Sequence, residues 1–67
     1  MNHRIKETRK QLHLTQIEFA KLLGISYSSL SLAEKGTRSL PASAMVRLAE
    51  LQNAGMDINI LWILTGK

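Results

Sequence analysis

Between Gly24 and Glu34 the chain reads GISYSSLSLAE, and four of the six residues from Ser26 to Ser31 are serines. Serine is a mediocre helix former because its hydroxyl competes for backbone hydrogen bonds. The same short hydroxyl can donate to or accept from a base edge or a phosphate, and its small size lets a helix approach closely. A polyanionic partner would also require cations nearby. The net charge is +4, and the whole excess lies in residues 1–38, where Arg4, Lys6, Arg9, Lys10, Lys21, Lys35 and Arg38 stand against Glu7, Glu18 and Glu34. Such an asymmetry reads as a polyanion-binding face or as a solvated basic surface. Other chemistries lack their residues. The absence of cysteine excludes disulfides, thiolate metal sites and cysteine nucleophiles. His3 and His13 stand apart, without paired acids or metal-ligand spacing, and read as exposed side chains. Gly66-Lys67 matches the end of a phosphate-binding loop, but the first glycine of that motif would fall at Leu61. No catalysis, cofactor or metal is expected.

A face of this kind must be held by other elements. At 67 residues the chain reads as one domain, residues 1–67, with a modest core that favours compact helical packing or association with a second copy. No secretory signal opens it, and its longest apolar-rich run, Ile58 to Leu64, is far too short to span a bilayer. The expected compartment is the cytoplasm, with no membrane contact. Nothing alternates with period two, so the expected fold class is all-α with five short helices. The first begins near Asn2, sets Ile5, Arg9 and Leu12 on one face and ends at His13-Leu14. Thr15-Gln16-Ile17-Glu18 is a capping box that opens a second helix, with Phe19, Ala20 and Leu23 facing inward. Gly24 stops that helix and Ser26 caps a third, whose buried side is Ile25, Leu30 and Ala33. Two helices joined by three residues including a glycine make a helix-turn-helix at about 16–34. A fourth helix begins around Leu40-Pro41, with proline near its first position. It turns Ala44, Met45, Leu48, Ala49 and Leu51 or Gln52 inward and ends at Gly55. Asp57 or Asn59 caps a last helix through Leu64, closed by Gly66.

The run from Arg9 to Gly36, with LTQIEFAKLLGIS followed by LSLAEKG, resembles the Cro and phage-repressor type of helix-turn-helix domain, the XRE family. The ending Trp62-Ile63-Leu64-Thr65-Gly66 resembles that family's last helix, so the similarity runs from about Arg4 to Gly66. It implies a compact five-helix, lambda-repressor-like DNA-binding domain. The spacing suits one: Ala20 is small where the third helix crosses the second, Ile25 fills the gap and Leu30 anchors the third helix. Tyr27, Ser28, Ser31 and Leu32 are then left outward on a helix that can enter a major groove. The resemblance implies that Gln16 touches a phosphate or orients a base-reading side chain. Tyr27 and Ser28 are expected at bases or the groove floor, with Ser31 one turn further along. Ser26 is expected to cap the helix and aim an amide at a phosphate. Lys35 and Arg38 are expected on the DNA backbone, joined by Lys10 or Lys6 from the first helix. Leu32 stands where the family commonly has a polar residue, and would meet a thymine methyl or pack. Arg9 and Glu34 are implied to form a structural ion pair tying the first helix to the end of the third.

The segment Ile58 to Leu64 is apolar at six of seven positions, more than a short helix can hide in one small core. Trp62 and part of the run are expected in the core, and some of Ile58, Ile60, Leu61 and Ile63 on a dimer or partner surface. Paired copies would set two recognition helices about 34 Å apart, one duplex turn. The expected function is sequence-specific binding of double-stranded DNA as a transcriptional regulator, a phage or prophage-type repressor acting as a homodimer on a palindromic operator. It would act at the nucleoid of a bacterial or phage-infected cell. The alternatives are an antitoxin or restriction-modification controller of the same fold, or a protein-interaction module that uses the last helix. A further C-terminal domain or protein partner stays open.

Overall fold

A computed structural model of the chain describes residues 3–66. Five helices follow one another: α1 (His3–Gln11), α2 (Gln16–Leu23), α3 (Tyr27–Glu34), α4 (Ala42–Asn53) and α5 (Ile60–Thr65). The fold is all-α, with no strand among the described residues. The expected start of the first helix at Asn2 lies outside them.

Local chemistry sets most helix starts. Thr15 Oγ1 accepts from the Glu18 amide at 3.1 Å, and Glu18 Oε1 accepts from the Thr15 amide at 2.9 Å, so the capping box opens α2. Ser26 caps α3 and Asn59 caps α5 through their side chains. Asp57, the alternative cap for the last helix, is not used. α4 starts two residues later than Leu40. Pro41 sits just before it with an extended ψ of 153° and offers no side-chain cap.

Every helix is followed by a residue with positive φ: the four glycines, and His13 at 59° after α1. At Gly24 the amides of Gly24 and Ile25 return to the carbonyls of Lys21 and Ala20, which ends α2 and begins the turn into α3. His13 and Leu14 do the same for α1, donating to the carbonyls of Lys10 and Arg9. Here, however, a Cβ occupies the left-handed region, which costs about 1 kcal/mol. His13→Gly is expected to raise the thermal midpoint by about 4–8 °C, the equivalent of about 1 kcal/mol in a chain of this size. Circular dichroism melts read this directly, and an unchanged midpoint would show that the turn carries no strain.

The core draws on all five helices. Phe19, Leu30 and Leu48 are fully enclosed, surrounded by Ile5, Ala20, Leu23, Ala33, Ala44, Ile58 and Ile63. α3 packs on α1 and α2, α4 on α2 and α5, and α5 returns to α1. The radius of gyration is 10.6 Å, close to the roughly 11 Å of a packed chain this long. Thr8 is buried with the core, and its hydroxyl donates to the Arg4 carbonyl at 2.8 Å.

Two guanidiniums brace helix ends, where the carbonyls lack partners and the dipole is negative. Arg4 Nη1 donates to the Ile63 carbonyl at 3.3 Å, and the guanidinium lies so close over Gly66 that a Cβ there would stand 2.8 Å from Nη2. Arg47 Nε donates to the Leu22 carbonyl at 3.1 Å.

The last segment divides between core and surface. Ile58, just before α5, and Ile63 within it are 6% and 3% exposed and belong to the core, as α5 docks on α1 and α4. Ile60 and Trp62 are half-buried against that core. The outward side chains are Leu61, 62% exposed, and Leu64, 59% exposed, of which Leu64 was not expected there. Gln52 is exposed rather than inward, and its Oε1 accepts from the Ile60 amide at 2.8 Å, linking α4 to the start of α5.

Candidate nucleic-acid interface

Glu34, the last residue of α3, holds the three N-terminal helices in register. Its carboxylate is buried, with its side chain 4% exposed, and it accepts from Arg9 Nε at 2.7 Å and Arg9 Nη2 at 3.3 Å. A third bond comes from Gln16 Nε2 at 2.9 Å. Arg9 Nη1 turns instead to the Leu14 carbonyl at 3.0 Å, beside the start of α2. One carboxylate therefore ties α1, the first residue of α2 and the last of α3. The two parallel bonds are the bidentate geometry in which guanidinium and carboxylate bind best. Gln16 has one amide hydrogen engaged, leaving its Oε1 and its second hydrogen for another partner.

The hydroxyls of α3 divide into two sets. Ser26 Oγ accepts from the Ser29 amide at 3.1 Å and donates to Ser29 Oγ at 3.0 Å, so these two serines close the helix start. The hydroxyls of Ser28 and Ser31 have no partner among the described residues. Tyr27 and Ser28 are exposed, while Ser31 and Leu32 are half-buried further along the helix. Leu32 is not among the side chains packed on the core, so it stays with the outward set.

The cations divide in the same way. Arg4, Arg9 and Arg47 are held by carbonyls or carboxylates of the chain itself. Lys6, Lys10, Lys21, Lys35 and Arg38 are exposed and have no partner among the described residues. Lys10 and Lys35 are the residues next in the chain after Arg9 and Glu34. Arg38 follows three residues after Lys35 on the connection to α4. At the start of α4 the amides of Ala42 and Ser43 have no partner among the described residues, a consequence of the missing side-chain cap.

Sequence reasoning did not find the Gln16–Glu34 bond, nor that Arg4 and Arg47 serve helix ends. Among the described residues no group of three or more His, Asp or Glu could hold a metal ion, and no helix is long and apolar enough to cross a membrane.

A Helix-turn-helix family model matches residues 5–53, which takes in α2, α3, α4 and most of α1. Over 58 residues the chain is 47% identical to the ImmF control region 10 kDa protein of Bacillus phage phi105, covering 85% of this chain and 61% of that protein. Over 36 residues it is 56% identical to Antitoxin PezA of Streptococcus pneumoniae, covering 54% of this chain and 23% of that protein. The chain thus matches about three fifths of the phage protein and about a quarter of the antitoxin. No solved structure matches it.

Proposed function

Since this chain belongs to the helix-turn-helix family of the Cro and phage-repressor type, whose members are DNA-binding transcriptional regulators, we propose that it is a sequence-specific repressor acting as a homodimer on a palindromic operator. The residues form one helix-turn-helix domain working in the cytoplasm at the nucleoid. α3 enters the major groove, with Tyr27, Ser28 and Ser31 at base edges and Leu32 against a thymine methyl. Gln16, Ser26, Lys10, Lys35 and Arg38 meet phosphates, which give affinity and register while the base contacts give specificity. The observation that carries this reading is the division on α3: Ser26 and Ser29 satisfy each other, while the hydroxyls of Ser28 and Ser31, and the exposed cations Lys35 and Arg38 that follow the helix, have no partner among the described residues. The 47% identity to a protein named for a phage control region supports the repressor reading. Ile60 and Leu61 supply the dimer contact.

Selection from a random duplex library at moderate salt tests this. Two inverted half-sites about one helical turn apart are expected. Ser28→Ala and Tyr27→Ala are each expected to relax particular base positions by about 1–3 kcal/mol. Enrichment of no sequence would remove the operator reading.

A second reading follows from the likeness to a protein named as an antitoxin and from the exposed Leu61 on α5. In that reading the domain still binds DNA, and α5 engages a protein partner. Leu61→Ser separates the two: the homodimer loses its paired half-sites, whereas the partner-binding form keeps DNA recognition intact.

A further inference from the structure

The connection between α3 and α4 overhangs a cavity of about 430 Å³. Its floor is Ile5, Ala33 and Ile63, all core residues, and Met45 and Leu64 form its walls. Thr37, Arg38 and Ser39 stand along its lining as the polar side. Small-molecule sites are mostly apolar, of this size, and carry a few polar groups that orient the ligand. Because the floor is held by the packing of α1, α3 and α5, it needs no ordering on binding, and Met45 can adapt its shape.

The charge on this rim is uncompensated. Arg38 has no carboxylate partner among the described residues: the ion pairs there are Arg9–Glu34 and Arg47–Glu50, and Glu7, Glu18 and Asp57 form none. A guanidinium beside apolar surface pairs best with a planar carboxylate, by two parallel hydrogen bonds.

We propose that this cavity binds a small amphipathic carboxylate, with its hydrocarbon tail against Met45 and Leu64 over the floor of Ile5, Ala33 and Ile63, and its carboxylate on Arg38. Arg38 is also one of the phosphate contacts of the repressor reading, so occupation of the cavity competes with the duplex, and by linkage the duplex weakens the carboxylate equally. That competition rests on the DNA-binding reading; the binding of the carboxylate does not.

The test is an NMR titration of the whole chain with octanoate, alongside 1-octanol, which lacks the charge, and acetate, which lacks the tail. Saturable shifts are expected at the methyls of Ile5, Met45 and Ile63 and at the amides of residues 37–40. Octanoate should bind roughly tenfold more tightly than 1-octanol. Arg38→Gln removes that preference, and Leu64→Ser, at an exposed wall position, weakens both ligands without loss of fold. Equal affinity for octanoate and 1-octanol overturns the proposal, as does a response centred on Leu61 or no saturable response at all. In a parallel titration with the selected duplex, octanoate but not acetate should weaken DNA binding roughly three- to tenfold. Cavity shifts with unchanged DNA affinity overturn the competition. Cavity shifts with no duplex bound in any condition sink the repressor reading and leave the carboxylate site standing.

Discussion

Arg9→Ala is expected to cost about 3 kcal/mol of unfolding free energy, read from urea denaturation followed by circular dichroism. The reason is asymmetric burial. The side chain of Arg9 is 12% exposed and that of Glu34 4%, so removing the guanidinium leaves a buried carboxylate with one bond, from Gln16. An unpaired buried charge costs far more than a surface pair contributes, which is typically below about 1 kcal/mol. A domain this small has only about 3–5 kcal/mol of stability from its core, so up to about half of the Arg9→Ala protein should be unfolded at 25 °C. The double variant Arg9→Met with Glu34→Leu should recover most of the loss, because it removes both charges and fills the space. A cost below about 1 kcal/mol for Arg9→Ala would place the pair with ordinary surface bridges.

That bridge also matters for what the sequence could reveal. The capping box at Thr15 and Glu18, the stop at Gly24 and the cap at Ser26 are decisions made within four residues, and all of them are visible in the sequence. The inward positions of α2 and α3 follow from helical spacing, as Phe19, Ala20, Leu23, Leu30 and Ala33 show. The Arg9–Glu34 pairing was legible through family resemblance, being 25 residues apart in the chain. The Gln16–Glu34 bond, across 18 residues, had no local signal. α5 shows the limit most clearly. With six of seven residues from Ile58 to Leu64 apolar, hydropathy has no period to read, and docking on α1 and α4 decides that Ile58 and Ile63 go in while Leu61 and Leu64 stay out. His13 was equally opaque: a non-glycine residue in the left-handed region gives no sign in the sequence.

Charge counting fails in a related way, and the failure leads to the other large expected effect. All nine cations look alike in the sequence, yet Arg4, Arg9 and Arg47 are bound by the fold, and their charge is partly met by helix C-termini and carboxylates. Lys35 and Arg38, by contrast, lie exposed just past α3 with no partner among the described residues. Neutralising them with Lys35→Gln and Arg38→Gln should therefore weaken duplex binding about 100-fold near physiological salt, since a dimer loses four phosphate contacts. The slope of log affinity against log salt should fall by about 4 for the dimer, close to one for each contact. Sequence preference should survive, because phosphate contacts position the helix while base contacts select the site. Arg47→Gln removes the same formal charge from a residue already held by the Leu22 carbonyl, so its salt slope should stay near that of the parent chain. Fluorescence anisotropy titrations over a range of salt concentrations separate the cases. If Arg47→Gln lowers the slope as much as Lys35→Gln does, DNA affinity follows net charge rather than the free cations beside α3, and the recognition face must be sought elsewhere on the molecule.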